Sequence, residues 1–217
     1  MYIPAMIMGV GVAIGEPTWE ELYAGSGWAY SHESSTSIGT VAVYSKEISG
    51  LPCFQGRAFT QVSKEILLDV ATDIEGAITW SSADVTEAKT LYRSNNYIDY
   101  YQYLDVPFFS DRYWFLRGYI EELDDGVLFR WDTLKSDNPH QQFYQSIRKK
   151  HPDSVETPIN VGAWVFKERR DNIEVRYYIC TNPGGSVPTA LQSIGTETAL
   201  PNNLQDLIAE GKKRSGY

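Results

Sequence analysis

Residues 177–192, YYICTNPGGSVPTALQ, hold the junction that decides the fold: a strand passes through a sharp turn into a helix. The strand covers 172–181, and its apolar side chains recur at every second position, Ile173, Val175, Tyr177 and Ile179. The run Asn-Pro-Gly-Gly at 182–185 stops it. Ser186 can cap the helix that follows, and Pro188 suits its first turn, where a missing N–H costs nothing. The last strand therefore leads directly into a C-terminal helix.

That helix carries two apolar stripes at helical spacing. The first stripe consists of Val187, Ala190, Leu191 and Ile194, and the second of Leu200, Leu204, Leu207 and Ile208. Gly195 and Pro201 lie between the two stripes, and both residue types disfavour an uninterrupted helix. We therefore expect a kink or break in this region.

Upstream of the junction, strand and helix patterns alternate. Strands are predicted at 27–33, 38–48, 52–62, 87–94, 97–105, 112–122, 126–134 and 158–168, and helices at 18–24 and 63–75. The turn Asp124-Asp125-Gly126 predicts a tight hairpin. Residues 135–157 are polar and form a long excursion that includes a helical turn. The order helix, strands, helix, strands, long helix predicts an α+β fold.

The bulk composition excludes several classes of partner. The chain has 217 residues, a net charge of −9 and a pI near 4.8. Its length fits one domain, with no linker in view. The acidic balance argues against nucleic acid and against constitutive binding to anionic membranes. Aromatic residues are abundant, with 15 Tyr, 6 Trp and 8 Phe, and such side chains either line ligand cavities or simply serve as strand formers.

Motifs for metal binding or hydrolytic catalysis are missing from the sequence. The three histidines, His32, His140 and His151, do not have metal-ligand spacing, and the sequence has no GxSxG elbow and no CxxC. We therefore predict no metal, no cofactor and no catalytic residue. Cys53 and Cys180 fit either a disulfide or two buried thiols.

The first fifteen residues, MYIPAMIMGVGVAIG, are apolar and uncharged. They are too short to span a bilayer, and they fit either a signal-like segment without its basic region or an ordinary strand. We therefore divide the chain into a leading segment, 1–15, and one domain, 16–217. The compartment is cytoplasmic, or periplasmic or secreted if the leading segment is part of a signal.

Three segments, in this order and spacing, resemble the START (StAR-related lipid-transfer) family, in the form of a bacterial single-domain member. They are LLDVATDIEGAITW at 67–80, DVPFFSDRYWFLRGYI at 105–120 and the junction at 177–192. The similarity covers residues 17 to 213. In the second segment Arg112 is followed by Tyr113, where the family has Asp, so a polar contact of that Asp is not carried over.

The resemblance implies a helix-grip fold, in which a curved antiparallel sheet wraps around the long C-terminal helix. It also implies a hydrophobic ligand, a lipid, held in an internal tunnel without catalysis. The alternating inward faces give the lining residues that we expect: Leu116, Val127, Phe129, Trp131, Val161, Val175, Tyr177, Ile179, Leu191 and Ile194. Arg112 is the candidate for a polar ligand group. We further expect a monomer that contacts membranes only transiently.

Two other functions remain open at this stage. Folds of this superfamily also host cyclases and hydrolases, and in that case Asp99 and Tyr101 would supply acid–base chemistry inside the tunnel. Alternatively, the protein is a ligand sensor whose polar excursion at 135–157 contacts a partner.

Overall fold

The computed structural model describes residues 15–107, 109–135, 139–185 and 189–216, with the backbone alone for 189–196. The described helices are α1 (Trp19–Tyr23), α2 (Lys64–Thr72), α3 (Ala77–Trp80), α4 (Gln141–Lys150) and α5 (Thr189–Arg214). The described strands are β1 (Ala29–Thr36), β2 (Gly39–Ile48), β3 (Leu51–Thr60), β4 (Val85–Arg93), β5 (Tyr97–Leu104), β6 (Arg112–Leu123), β7 (Gly126–Thr133), β8 (Val155–Glu156), β9 (Ile159–Arg169) and β10 (Asn172–Asn182).

The described strands form one sheet in the order β1-β2-β3-β10-β9-β7-β6-β5-β4. Neighbours in this order are antiparallel, while the short β8 runs parallel to β6. Leu123 pairs with Gly126, so Asp124 and Asp125 form a two-residue turn, as predicted. Gly126 has no room for a side chain, because a Cβ there would collide with the carbonyl oxygen of Phe166 on β9. The glycine thus allows the hairpin to pack against its neighbouring strand.

The inner face of the sheet is covered by α2, α3 and α5. Leu200, Leu204, Leu207 and Ile208 on α5 are fully buried in the main hydrophobic cluster, which also contains Leu67 and Val70 of α2. Gly56 on β3 lies directly beneath α5, and a Cβ at this position would collide with Leu200 and Leu204. The missing side chain lets the helix approach the sheet closely.

The outer face is covered by α1 and α4. Thr18 begins α1 with a capping box, because its hydroxyl accepts from the N–H of Glu21 while the Glu21 carboxylate accepts from the N–H of Thr18. Trp19 and Leu22 pack over β3, β9 and β10. Helix α4 packs over β5 and β6 through Tyr144 and Ile147.

Cys53 and Cys180 face each other on the paired strands β3 and β10, and they form a disulfide within the outer-face cluster. The sequence left this pairing open. A bridge between residues 127 positions apart ties the first half of the sheet to its last strand. It restricts the unfolded chain more than the folded one.

The structure corrects three details of the sequence-based assignment. It adds α3 and β8, which the patterns did not predict. Helix α5 is continuous through Pro201, so of the predicted kink or break the break is wrong; Leu200 and Leu204, on either side of this proline, pack against Gly56 of the sheet. The leading segment predicted at 1–15 lies, apart from Gly15, outside the described residues. Among the described helices, none combines the length and apolarity needed to cross a bilayer.

Candidate ligand-binding cavity

A cavity of about 590 Å³ lies between the inner face of the sheet and helices α2, α3 and α5. Such a volume lies within the range of pockets that bind small molecules. Six residues that the sequence placed at the site line this cavity: Arg112, Leu116, Phe129, Trp131, Tyr177 and Ile179. They come from β6, β7 and β10, whose alternating faces the sequence had indicated.

The other predicted lining residues lie elsewhere. Val127 and Val175 belong to the inner hydrophobic cluster but not to the cavity wall. Val161 lies on the outer face, in the cluster beneath α1, so its prediction as an inward residue is wrong. The strand β9 is buried on both faces from residue 159 to 166, and its sequence shows no alternation that would distinguish them. The side chains of Leu191 and Ile194 lie outside the described part of the structure.

Several lining residues escaped the sequence analysis. Trp80 enters from α3, Tyr100 and Gln102 from β5, Trp114 from β6 and Trp164 from β9. The inward direction of Tyr100 and Trp114 could have been predicted from the sequence, because they alternate along their strands with the outward residues Tyr101 and Phe115.

Aromatic rings form much of the cavity wall. Trp164 stacks on Tyr177 with ring centroids 4.1 Å apart, and Tyr177 lies 6.0 Å from Trp131. Phe129 has space for its ring because Gly118 lacks a side chain where the ring lies. Burial raises the pKa of Tyr177 and of Tyr100 far above the usual value, so both hydroxyls stay protonated at neutral pH. The two tyrosines therefore serve as neutral hydrogen-bonding groups.

One end of the cavity contains a buried arginine. The Arg112 guanidinium is tied to the turn after β10: Nε donates to the carbonyl of Pro183 over 3.0 Å and Nη2 to that of Gly184 over 3.4 Å, while Nη1 donates to the carbonyl of Ser110. Gly184 and Gly185 both have positive φ, of 68° and 67°, a conformation that glycine adopts without strain. Burial lowers the pKa of Arg112, which nevertheless stays charged.

Among the residues that the structure describes, two polar atoms of the cavity wall have no hydrogen-bond partner, the Thr157 hydroxyl and the Trp80 indole N–H. Thr157 is only 1% exposed and follows directly after β8, where its N–H donates to the carbonyl of Tyr113 over 2.8 Å. A buried polar atom without a partner costs free energy that a bound ligand group can recover. The wall thus offers hydrogen-bonding positions beside its apolar surface.

The cavity reaches the protein surface on the side of the loop between β5 and β6. Phe109, which lines it, is 46% exposed, and the exposed carboxylates of Asp84 and Asp105 stand nearby in the same lining.

The pair proposed for acid–base chemistry lies on the wrong face of the sheet. Tyr101 is buried against α4 in the outer cluster, and Asp99 receives two hydrogen bonds from Arg117, of 2.6 and 2.7 Å, with His140 Nε2 2.9 Å away. Burial raises the pKa of Asp99, but the bonds from Arg117 and His140 outweigh burial and lower it. This carboxylate is an ion-paired group outside the cavity. Across the described ranges, no group of three or more His, Cys, Asp or Glu side chains is arranged to hold a metal ion.

Comparisons with known proteins agree with this architecture. No protein-family model matches the chain. An uncharacterized protein of Pseudomonas aeruginosa is 25% identical over 195 residues, which cover 88% of this chain and 92% of the relative.

Solved structures give the fold. A STAR-related lipid transfer protein from Xanthomonas axonopodis superposes with a TM-score of 0.71 at 21% identity, over 86% of this chain and 99% of its own. Human STARD10 also gives 0.71, at 18% identity, over 89% of this chain and 76% of its own. An aromatase/cyclase of a Streptomyces species gives 0.52 at 10% identity, over 75% and 94%. The predicted α+β class is thereby confirmed, and the chain has the helix-grip fold of the START domains.

Proposed function

We propose that the protein binds a hydrophobic ligand, a lipid, in the cavity between the sheet and α5, and carries it without chemical change. The observation that carries this proposal is the cavity itself, about 590 Å³ in volume and walled mainly by aromatic and aliphatic side chains. The STAR-related lipid transfer protein from Xanthomonas axonopodis, which has the same fold, supports the same class of ligand.

Burial of apolar ligand surface would supply the affinity. Each methylene group removed from water contributes roughly 0.8 kcal/mol, so a chain of ten contributes about 8 kcal/mol before the costs of association. Phe129, Trp131 and Tyr177 offer rigid surface for such a chain. Arg112 would fix the polar end of the ligand.

The oligomeric state and the contact with membranes also belong to this proposal. We propose a monomer, as expected from the sequence, that meets membranes only while it loads or releases ligand. The net charge of −9 would repel it from anionic bilayers, which favours brief contact over stable attachment.

Transfer between membranes tests the carrier function. Donor vesicles carrying a fluorescent lipid and acceptor vesicles without it are mixed with the purified protein. We expect the protein to speed the movement of label, and mass spectrometry to recover the lipid with its mass unchanged. Failure to move or bind any lipid would refute the proposal.

An enzyme is the second candidate, supported by the aromatase/cyclase that shares the fold and by the two protonated tyrosines in the wall, Tyr100 and Tyr177. These hydroxyls could orient a polar ligand for ring closure. If the protein is such an enzyme, incubation with a polyketide-like substrate will give a product of altered mass, whereas a carrier returns the compound unchanged.

A further inference from the structure

The lining of the cavity indicates the kind of ligand that it accepts. Aromatic and aliphatic side chains, among them Phe129, Trp131 and Tyr177, form most of the wall, and the polar residues Arg112 and Thr157 belong to the same lining. Such a wall suits an amphiphile with an apolar portion and a polar head.

The polar atoms of the wall favour a ligand that accepts hydrogen bonds. Arg112 is 6% exposed, and among the described residues its recorded partners are three backbone carbonyls, with no carboxylate in contact. A guanidinium has five N–H donors, so two remain for a ligand. Asp111, its neighbour in sequence, is engaged with the Tyr103 hydroxyl and the Val106 N–H.

The Thr157 hydroxyl strengthens this preference. It lines the same cavity, is buried and has no partner within the described ranges, so it can donate to a ligand oxygen. Strand β8, which precedes Thr157, pairs with the start of β6 through Val155 and Arg112, so both side chains belong to the same end of the sheet. The indole N–H of Trp80 is likewise a donor without a partner.

We infer that the ligand is an amphiphile with a carboxylate head, held by Arg112 and Thr157, with its alkyl portion along Phe129 and Tyr177. This inference rests on the proposed function and adds the class of ligand. A carboxylate satisfies both donors and neutralises the buried cation, whereas an ammonium group does neither. The carboxylates Asp84 and Asp105 oppose the anion only weakly, because they are exposed and screened by water and salt.

Ligands of equal chain length test the head group. The protein is stripped of lipid, and hexadecanoic acid, hexadecanol, hexadecylamine and a phosphatidylcholine with two sixteen-carbon chains compete for a fluorescent single-chain probe. We expect the acid to bind about 100-fold more tightly than the alcohol, the amine to bind more weakly than the alcohol, and the phosphatidylcholine, whose head carries an ammonium group, to bind more weakly than the acid.

Two variants locate the head group. Thr157→Val removes a hydroxyl without a protein partner, so it should leave the thermal midpoint unchanged or higher while it weakens acid binding about tenfold. Thr40→Val, the same change at an exposed strand position, should alter neither the thermal midpoint nor the binding of the acid. Arg112→Gln should abolish the preference for acid over alcohol. Binding of the alcohol by this variant is the control which shows that the cavity of the variant is intact.

The outcomes separate this inference from the function on which it rests. If the acid and the alcohol bind equally, or if the amine or the two-chain lipid binds best, the carboxylate assignment is wrong while lipid binding stands. The assignment is also wrong if Thr157→Val binds the acid like the wild type. If none of the four compounds binds, the proposed function itself fails.

Discussion

At the scale of single residues, Asp99 is the buried charge with the clearest consequence for stability. It is 1% exposed and bonded twice to Arg117, on the face of the sheet away from the cavity. Because its pKa is lowered in the folded protein, the ionised form stabilises the fold at every pH above the unfolded value, near 4. This contribution is lost as the pH falls through the folded value.

The variant Asp99→Asn tests this linkage. At pH 7 it should lower the free energy of unfolding by about 2 kcal/mol, because Arg117 loses a charged partner. The gap between variant and wild type should shrink as the pH falls below about 4, where the unfolded chain takes up the proton, and disappear below the lowered pKa of Asp99 in the folded wild type. Urea unfolding at several pH values measures both. A gap that stays constant down to pH 2 would contradict the assigned pKa direction.

The sequence allowed six lining residues to be chosen, and the physical reason is alternation. On β6, β7 and β10 one face is more apolar than the other, which makes the inward set visible. On β9 both faces are buried, so the sequence does not distinguish them. The prediction therefore named Val161 as a lining residue, whereas Trp164 is the residue of β9 that lines the cavity. Thr157 directly follows the two-residue strand β8, and Trp80 ends the four-residue helix α3. Elements this short have no periodicity that predicts which way a side chain faces.

At the scale of elements, the packing of α5 on the sheet depends on Gly56. Replacement by alanine would force Leu200 and Leu204 away from β3. We expect Gly56→Ala to lower the free energy of unfolding by about 1–3 kcal/mol, through overpacking at this contact. Gly25→Ala is the matched control, because Gly25 is exposed and has open space around it. Equal stability of the two variants in urea would show that α5 does not pack closely on β3.

The disulfide between Cys53 and Cys180 is the second feature that joins two elements, here β3 and β10. With both cysteines replaced by alanine, the free energy of unfolding should fall by about 2–5 kcal/mol. The reason is that no bridge then joins two residues 127 positions apart in the unfolded chain. The oxidised wild type, unfolded without reductant, should show no thiol that an alkylating reagent labels. A reducing agent should destabilise the wild type and leave the double variant unaffected. Two labelled thiols in the oxidised protein would rule out the bridge.

Elements could be predicted where a pattern is long enough to repeat. The long strands and α2 were found within a few residues of their bounds. The α3 helix has four residues and β8 has two, about one period of each kind of element, so neither contains a repeat from which it could be predicted. The α4 helix appeared only as a helical turn, because just Tyr144 and Ile147 are buried in an otherwise polar segment.

At the scale of the whole molecule, the fold places one apolar cavity between two layers that are each well packed elsewhere. The order of strands and helices, readable from the sequence, predicted the α+β class, and the resemblance to the START family implied the sheet wrapped around α5 with a tunnel between them. The size of the cavity was not readable, because it depends on how closely α2, α3 and α5 approach the sheet. Gly56 sets part of that approach, because it leaves room for Leu200 and Leu204 of α5.

The central claim is that a hydrophobic ligand occupies this cavity, and blocking the cavity tests it most directly. Leu116 is 2% exposed and lines the wall, so Leu116→Trp would fill ligand space, while Tyr30→Trp changes a side chain that is 59% exposed. Each protein is stripped of lipid, incubated with vesicles of bacterial lipid extract, and examined by native mass spectrometry. We predict one bound lipid per chain for the wild type and Tyr30→Trp, and at least tenfold less for folded Leu116→Trp. Equal loading of all three, or no lipid on the wild type, would contradict the account.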